Sequence, residues 1–149
     1  MSEMVKVVVD AMGGDNAPVE IVKGVVDAVH ANDHVKVYLT GQEELVRKEL
    51  EKYTYPAGQE DVIQAELQKY PDYPKDRIRV VHASQVIETA EPPVMAIQKK
   101  KDSSIVVGLN LVKKQEADAF VSSGSTGAVL VGGQVIVGRI KGIQRPPLA

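Results

Sequence analysis

Apolar positions along this chain follow two rhythms that alternate. Short runs rich in β-branched residues read as strands: Val5 to Ala11 (VKVVVDA), Val35 to Leu39 (VKVYL), Arg77 to Ala83 (RIRVVHA) and Ala119 to Ser123 (AFVSS). Between them the spacing turns helical. Ile21, Val22, Val25, Val26 and Val29 lie on one stripe. In "QEELVRKELEKY" the stripe is Leu45, Val46 and Leu50, and "PPVMAIQKKKDSS", "SSIVVGLNLVKKQ" and Ala128 to Val137 complete the helical segments. Asn16 reads as the cap of the first helix with Pro18 in its first turn, and Asn32-Asp33 as its stop. Residues 53–76 break the rhythm with three prolines and four tyrosines around a short helical segment, Glu60 to Lys69, and read as a surface excursion.

Four strand–helix alternations predict an α/β fold, doubly wound around a mostly parallel sheet. Strands buried on both faces suit the Val-rich runs, since aromatic residues make up only 4% of the chain and tryptophan is absent. With no repeat and no visible linker, residues 1–149 read as part of a single domain. The ending "IQRPPLA" is neither a helix stop nor a charged tail. The chain is therefore expected to continue past Ala149, with the sheet incomplete within it.

Composition narrows the function classes. A net charge of −2 gives no general attraction to nucleic acid or anionic lipid. The absence of cysteine removes disulfides, thiolate metal sites and thiol nucleophiles. Three scattered histidines make no metal site, and neither a metal nor a cofactor is expected. His30 and His34 read as surface residues; His82, after a strand, reads as either catalytic or structural. The opening segment is strand-like rather than a signal peptide, and a cytoplasmic protein is expected.

Ligands of open parallel sheets bind outside the carboxyl ends of strands, and both glycine-rich turns of this chain lie there. In "SSGSTGAV", Ser122 to Val129, small residues let a ligand approach the backbone, and successive N–H groups make an anion cradle to which hydroxyls add donors. Ser122, Gly124, Ser125, Thr126 and Gly127 are the candidate phosphate-binding residues. The sequence is not a Walker loop, because no lysine follows Gly127, nor the dinucleotide fingerprint. The alternative is a tight turn with helix-capping hydroxyls. In "DAMGGDNAP", Asp10 to Pro18, Gly13 and Gly14 are candidate substrate-binding residues, with Asp15 and Asn16 as candidate catalytic ones. The competing reading is a positive-φ turn followed by an Asx cap. "KKKDSS", Lys99 to Ser104, is either a solvated basic end or a counter-charge for phosphate or an acidic carrier protein.

Taken together, "DAMGGDNAP", "KKKDSS", "ADAFVSSGSTGA" and "GRIKGIQRP", in this order and at these intervals, resemble the phosphate acyltransferases of bacterial phospholipid synthesis. The resemblance runs from about Val5 to the last residue, broken at the excursion. It implies transfer of a fatty acyl group from acyl carrier protein to inorganic phosphate, giving an acyl phosphate. It also implies a fold similar to phosphotransacetylases and the isocitrate-dehydrogenase-like enzymes, a homodimer, and peripheral membrane association through a segment beyond Ala149. Asp10, Gly13, Gly14, Asp15 and Asn16 match the family's first motif, and Ser122, Gly124, Thr126, Gly127 and Ala128 its second. Ser123 and Ser125 depart from the usual Ala and Asn, and Pro147 from Ala. Two rival functions stay open: a coenzyme A-dependent phosphate acyltransferase, and an inactive phosphate-binding fragment.

Overall fold

A computed structural model describes residues 4–54 and 74–146. The excursion at 53–76, including the expected helix Glu60 to Lys69, lies mostly outside the described residues, and so does Pro147. Four strands, β1 (Val5–Asp10), β2 (Val35–Gly41), β3 (Ile78–His82) and β4 (Ala119–Val121), form one sheet in the order β3-β2-β1-β4. Every pairing is parallel: Val8 faces Tyr38 on one side and Phe120 on the other. This is the α/β architecture the alternation predicts.

Two apolar layers explain why the strands carry so few polar residues. On one face, α1 (Val19–Ala31) and α2 (Glu43–Glu51) bury Val22, Val25, Val26, Val29, Val46 and Leu50 against Val37, Leu39 and Ile78. On the other face lie α3 (Pro93–Lys99), α4 (Ser104–Lys113) and α5 (Thr126–Gly132). There Ile97, Ile105, Val106 and Leu109 pack with Phe120 and Ala128. Helix α4 lies close on the sheet because Gly108 has no side chain; a Cβ there would meet the Phe120 ring at 2.5 Å. Burying one such aliphatic side chain contributes roughly 1.5–3 kcal/mol, and the two layers place these groups on both sides of the central strands.

The structure corrects several local expectations. Helix α1 is not capped by the Asn16 side chain: Pro18 holds the cap position, and the Asn16 carbonyl accepts from Glu20 N–H at 3.1 Å. Proline supplies no N–H to a cap and its fixed φ starts the helix unaided. Leu45 is 42% exposed, since only Val46 and Leu50 of the α2 stripe reach the core. His30 is half-buried, with Nδ1 on the Val26 carbonyl at 2.9 Å and Nε2 enclosed without a hydrogen-bond partner. The last helical segment begins at Thr126, and after Gly132-Gly133 it widens into a π-helical turn, Gly133–Val137. Beside it an apolar groove of about 520 Å³ is lined by Val129, Leu130, Val137, Ile140, Ile143 and Pro146 among others; only Val129 belongs to a glycine-rich stretch, as its last residue. Among the described residues, no helix is long and apolar enough to cross a membrane.

Candidate functional site

The strand order decides where the site falls. From β1 the chain moves outward through β2 to β3, then returns to the opposite side of β1 as β4. The connections leaving β1 and β4 therefore diverge, and the crevice between their carboxyl ends is the topological switch point. The turn Ala11 to Pro18 leaves β1 here, and the turn Ser122 to Ser125 leaves β4. The two glycine-rich stretches, more than a hundred positions apart, face each other.

They do more than face each other. Asp10, the last residue of β1, is 1% exposed. Its Oδ1 accepts from Met12 N–H at 3.0 Å, and its Oδ2 accepts from the Ser122 hydroxyl at 2.7 Å. Ser122 Oγ in turn accepts from Gly124 N–H at 3.0 Å. None of the ion pairs among the described residues involves Asp10. Its buried charge is thus carried by an amide and a hydroxyl, and charge-assisted bonds of this kind contribute about 1.5–3 kcal/mol each.

Close approach depends on the glycines. A Cβ on Gly13 would lie 2.6 Å from Asp10 Oδ2 and 2.8 Å from both Gly124 N and Ser122 Oγ. Gly14 has φ +107°, with the Ser123 carbonyl 3.3 Å from where a Cβ would stand. Asp15 and Asn16 are exposed at the mouth, and no hydrogen bond or ion pair among the described residues holds the Asp15 carboxylate. On the β4 side, buried Ser125 caps α5, its Oγ accepting from Ala128 N–H at 3.3 Å. Thr126 is exposed, and the N–H groups of Thr126 and Gly127 have no intramolecular acceptor among the described residues. Gly127 lies against Pro93, where a Cβ would meet the ring at 2.6 Å, so α5 and α3 start side by side.

A family model described as "Fatty acid synthesis protein" matches residues 5–149. The chain belongs to this family. It is 49% identical over 145 residues to a phosphate acyltransferase of Clostridium beijerinckii, covering 97% of this chain and 38% of that one. A stretch of 78 residues is 58% identical to the phosphate acyltransferase of Alkaliphilus oremlandii, covering 52% of this chain and 23% of that one. A Clostridium botulinum phosphate acyltransferase is 60% identical over 77 residues, covering 52% and 23% respectively. The matched stretches thus cover about a quarter to two fifths of the length of these relatives.

Beyond β3, at the opposite side of the sheet from β4, the chain carries different chemistry. His82, at the end of β3, is exposed and accepts from Glu43 N–H at 3.3 Å. Asp102 accepts from both the N–H and the hydroxyl of Ser84, and the hydroxyl bond first, then the amide, holds its carboxyl below the usual aspartate range. Of the three lysines, Lys100 is tied to the Val86 carbonyl and to Glu91, whereas Lys99 and Lys101 are exposed. The Lys100 bond, aided by the Glu88 amide, holds the Glu91 carboxyl below its ordinary value. Ser103, following this basic run, caps α4 through Val106 N–H. Among the described residues, no cluster of three or more potential ligands could hold a metal ion.

One residue that sequence reasoning passed over as a candidate is Asp10. It was visible as an acid closing the apolar run "VVVD" of β1, where burial leaves a carboxylate in need of partners. The partner itself, Ser122, is 112 positions away, and no local rule reaches that far.

Proposed function

We propose that this chain carries the phosphate-binding part of an acyltransferase that moves a fatty acyl group from acyl carrier protein to inorganic phosphate. The observation that carries the reading is the meeting of two small-residue turns at the switch point, in a chain whose relatives are named phosphate acyltransferases. Solvated phosphate is a poor nucleophile, and a thioester carbonyl needs its developing oxyanion stabilised. A crevice that fixes phosphate on backbone amides beside the carbonyl supplies proximity and electrostatic stabilisation. The unpartnered N–H groups of Thr126 and Gly127, with the Thr126 hydroxyl, hold phosphate from one side. Exposed Gly14 admits it to the backbone on the other, buried Gly13 lets the two turns close on each other, and Asp15 with Asn16 orients a partner group at the mouth.

The phosphate oxygen attacks the thioester carbon directly, its P–O–C bond forms, the C–S bond breaks, and the carrier leaves as its thiol with the proton phosphate brought. No acyl-enzyme intervenes. Exposed Lys99 and Lys101 give the acidic carrier a counter-charge at the carboxyl edge of the sheet. In this reading residues 1–149 form the first part of one α/β domain of a cytoplasmic homodimer that associates peripherally with membrane. A second reading, that this length alone is inactive, is favoured by its coverage of only 38% of the Clostridium beijerinckii relative.

Hydroxylamine trapping of acyl phosphate, from acyl carrier protein thioester and phosphate, tests both. It is run on this chain and on a chimaera continuing it with the remainder of the Clostridium beijerinckii protein. Activity in the chimaera alone is the expected result. Activity in neither overturns the reading, and an acyl-serine trapped on the chimaera overturns direct attack.

A further inference from the structure

Hydrogen-bond direction at the switch point carries a consequence for which anion the crevice takes. A serine hydroxyl has one hydrogen and two lone pairs. The Ser122 hydrogen is committed to Asp10 Oδ2 at 2.7 Å, and one lone pair is filled by Gly124 N–H at 3.0 Å. Asp10 cannot release that hydrogen by turning, because its Oδ1 is fixed by Met12 N–H and the residue is only 1% exposed. What Ser122 still has is one lone pair. Toward a ligand it acts as an acceptor and never as a donor.

An anion that touches Ser122 must therefore bring its own hydrogen. At neutral pH phosphate carries one or two hydrogens and sulfate carries none, although the two are alike in size and shape. Hydrogen phosphate places a P–OH against the lone pair, whereas sulfate sets oxygen against oxygen. We propose that Ser122, oriented by Asp10, is the specificity-determining residue that admits hydrogen phosphate and rejects sulfate, with Asp10 as its positioning residue. This rests on the reading above that phosphate occupies the crevice. It goes beyond that reading by assigning the choice between two tetrahedral oxyanions to one hydroxyl and the carboxylate behind it.

Asparagine at position 10 separates this role from a merely structural one. Its oxygen stays with Met12 N–H, so its amide nitrogen faces Ser122 and donates to it. The Ser122 hydrogen is then free to turn toward the crevice, where it suits sulfate as well as phosphate. Asp10→Asn keeps the shape and reverses the polarity of one bond.

The experiment uses the chimaera for kinetics, with sulfate as competitor against phosphate, and 15N-labelled chain for the Gly124 amide signal during titration with each anion. The wild-type sequence is expected to favour phosphate over sulfate at least about tenfold, the factor that one mismatched, enclosed hydrogen bond costs. Asp10→Asn is expected to lose most of that preference through tighter sulfate inhibition, with the phosphate KM changing less. Ser122→Ala, at a half-buried position, is expected to lose the preference too, and it serves if Asp10→Asn does not fold. A wild-type ratio near one, or a ratio that both variants retain, overturns the proposal while acyl-phosphate formation leaves the functional reading standing. No acyl phosphate together with no Gly124 shift on adding phosphate overturns both.

Discussion

The turn after β1 and the turn after β4 are assembled from the same kinds of small residue, yet they are held in opposite ways. The first is shaped by what is missing. Gly13 has no room for a Cβ, Gly14 sits at φ +107°, and the polar residues that follow, Asp15 and Asn16, stand exposed. The second is shaped by bonds. Ser122 is clasped between Asp10 and Gly124, and Ser125 is buried under the start of α5. A glycine-rich stretch is thus not one device: here one turn makes space and the other fills its polar valences. Their common anchor is the Asp10 carboxylate, where β1 ends and the first turn begins.

The sharpest way to break the contrast is at Gly13. A methyl group there meets a carboxylate oxygen, a hydroxyl and a backbone nitrogen together, none of which can retreat without opening the Asp10 bonds. Gly13→Ala is expected to cost about 1–3 kcal/mol, the range for overpacking, in chemical denaturation, and to abolish acyl-phosphate formation in the chimaera. Gly14→Val follows. A branched side chain at positive φ costs about 1–2 kcal/mol, and the Ser123 carbonyl is close enough to be pushed aside. Acyl-phosphate formation should again be lost; near-normal activity would reduce the first turn to a connector.

Ser125→Ala probes the bonded turn. Removing the cap should lower stability by about 1 kcal/mol, read as a shift of the unfolding midpoint at unchanged slope. An unchanged midpoint would mean that the Ala128 N–H finds water instead. The smallest effect on stability is expected at Asp15, where Asp15→Ala should stay within about 0.5 kcal/mol, as for other exposed sites. Its activity is the informative readout: a large fall at unchanged stability separates a group that orients substrate from an idle turn residue.

How much of this was legible in the sequence differs between the fold and the site. β-branched runs at regular intervals are a local signal, so all four strands and the helices between them could be read, to within a residue or two at most ends. The parallel sheet followed from their alternation. Leu45 was misplaced because a stripe of helical spacing says which residues share a face, not how wide the buried part of that face is. The Asn16 cap failed because Pro18 begins the helix without it. In the site, residue types pointed to both turns, but spacing alone left the hydroxyls of Ser122 and Ser125 undivided between capping and binding. The structure gives Ser125 the cap of α5 and ties Ser122 to Asp10, a contact across the sheet that no one-dimensional pattern encodes.

β4 closes one side of the described sheet with only three residues, and its outer row of N–H and C=O groups meets no neighbouring strand among the described residues. Val121 on it is 52% exposed, and Val135 and Ile140 beyond are 71% and 81% exposed. Natural sheets blunt an open edge with charge, proline, a bulge or sheer brevity, and "AFV" has only its brevity. Three residues give an incoming strand few N–H and C=O groups to pair with, so it is a lengthening of this edge, more than its exposure, that would open the chain to strand-to-strand pairing.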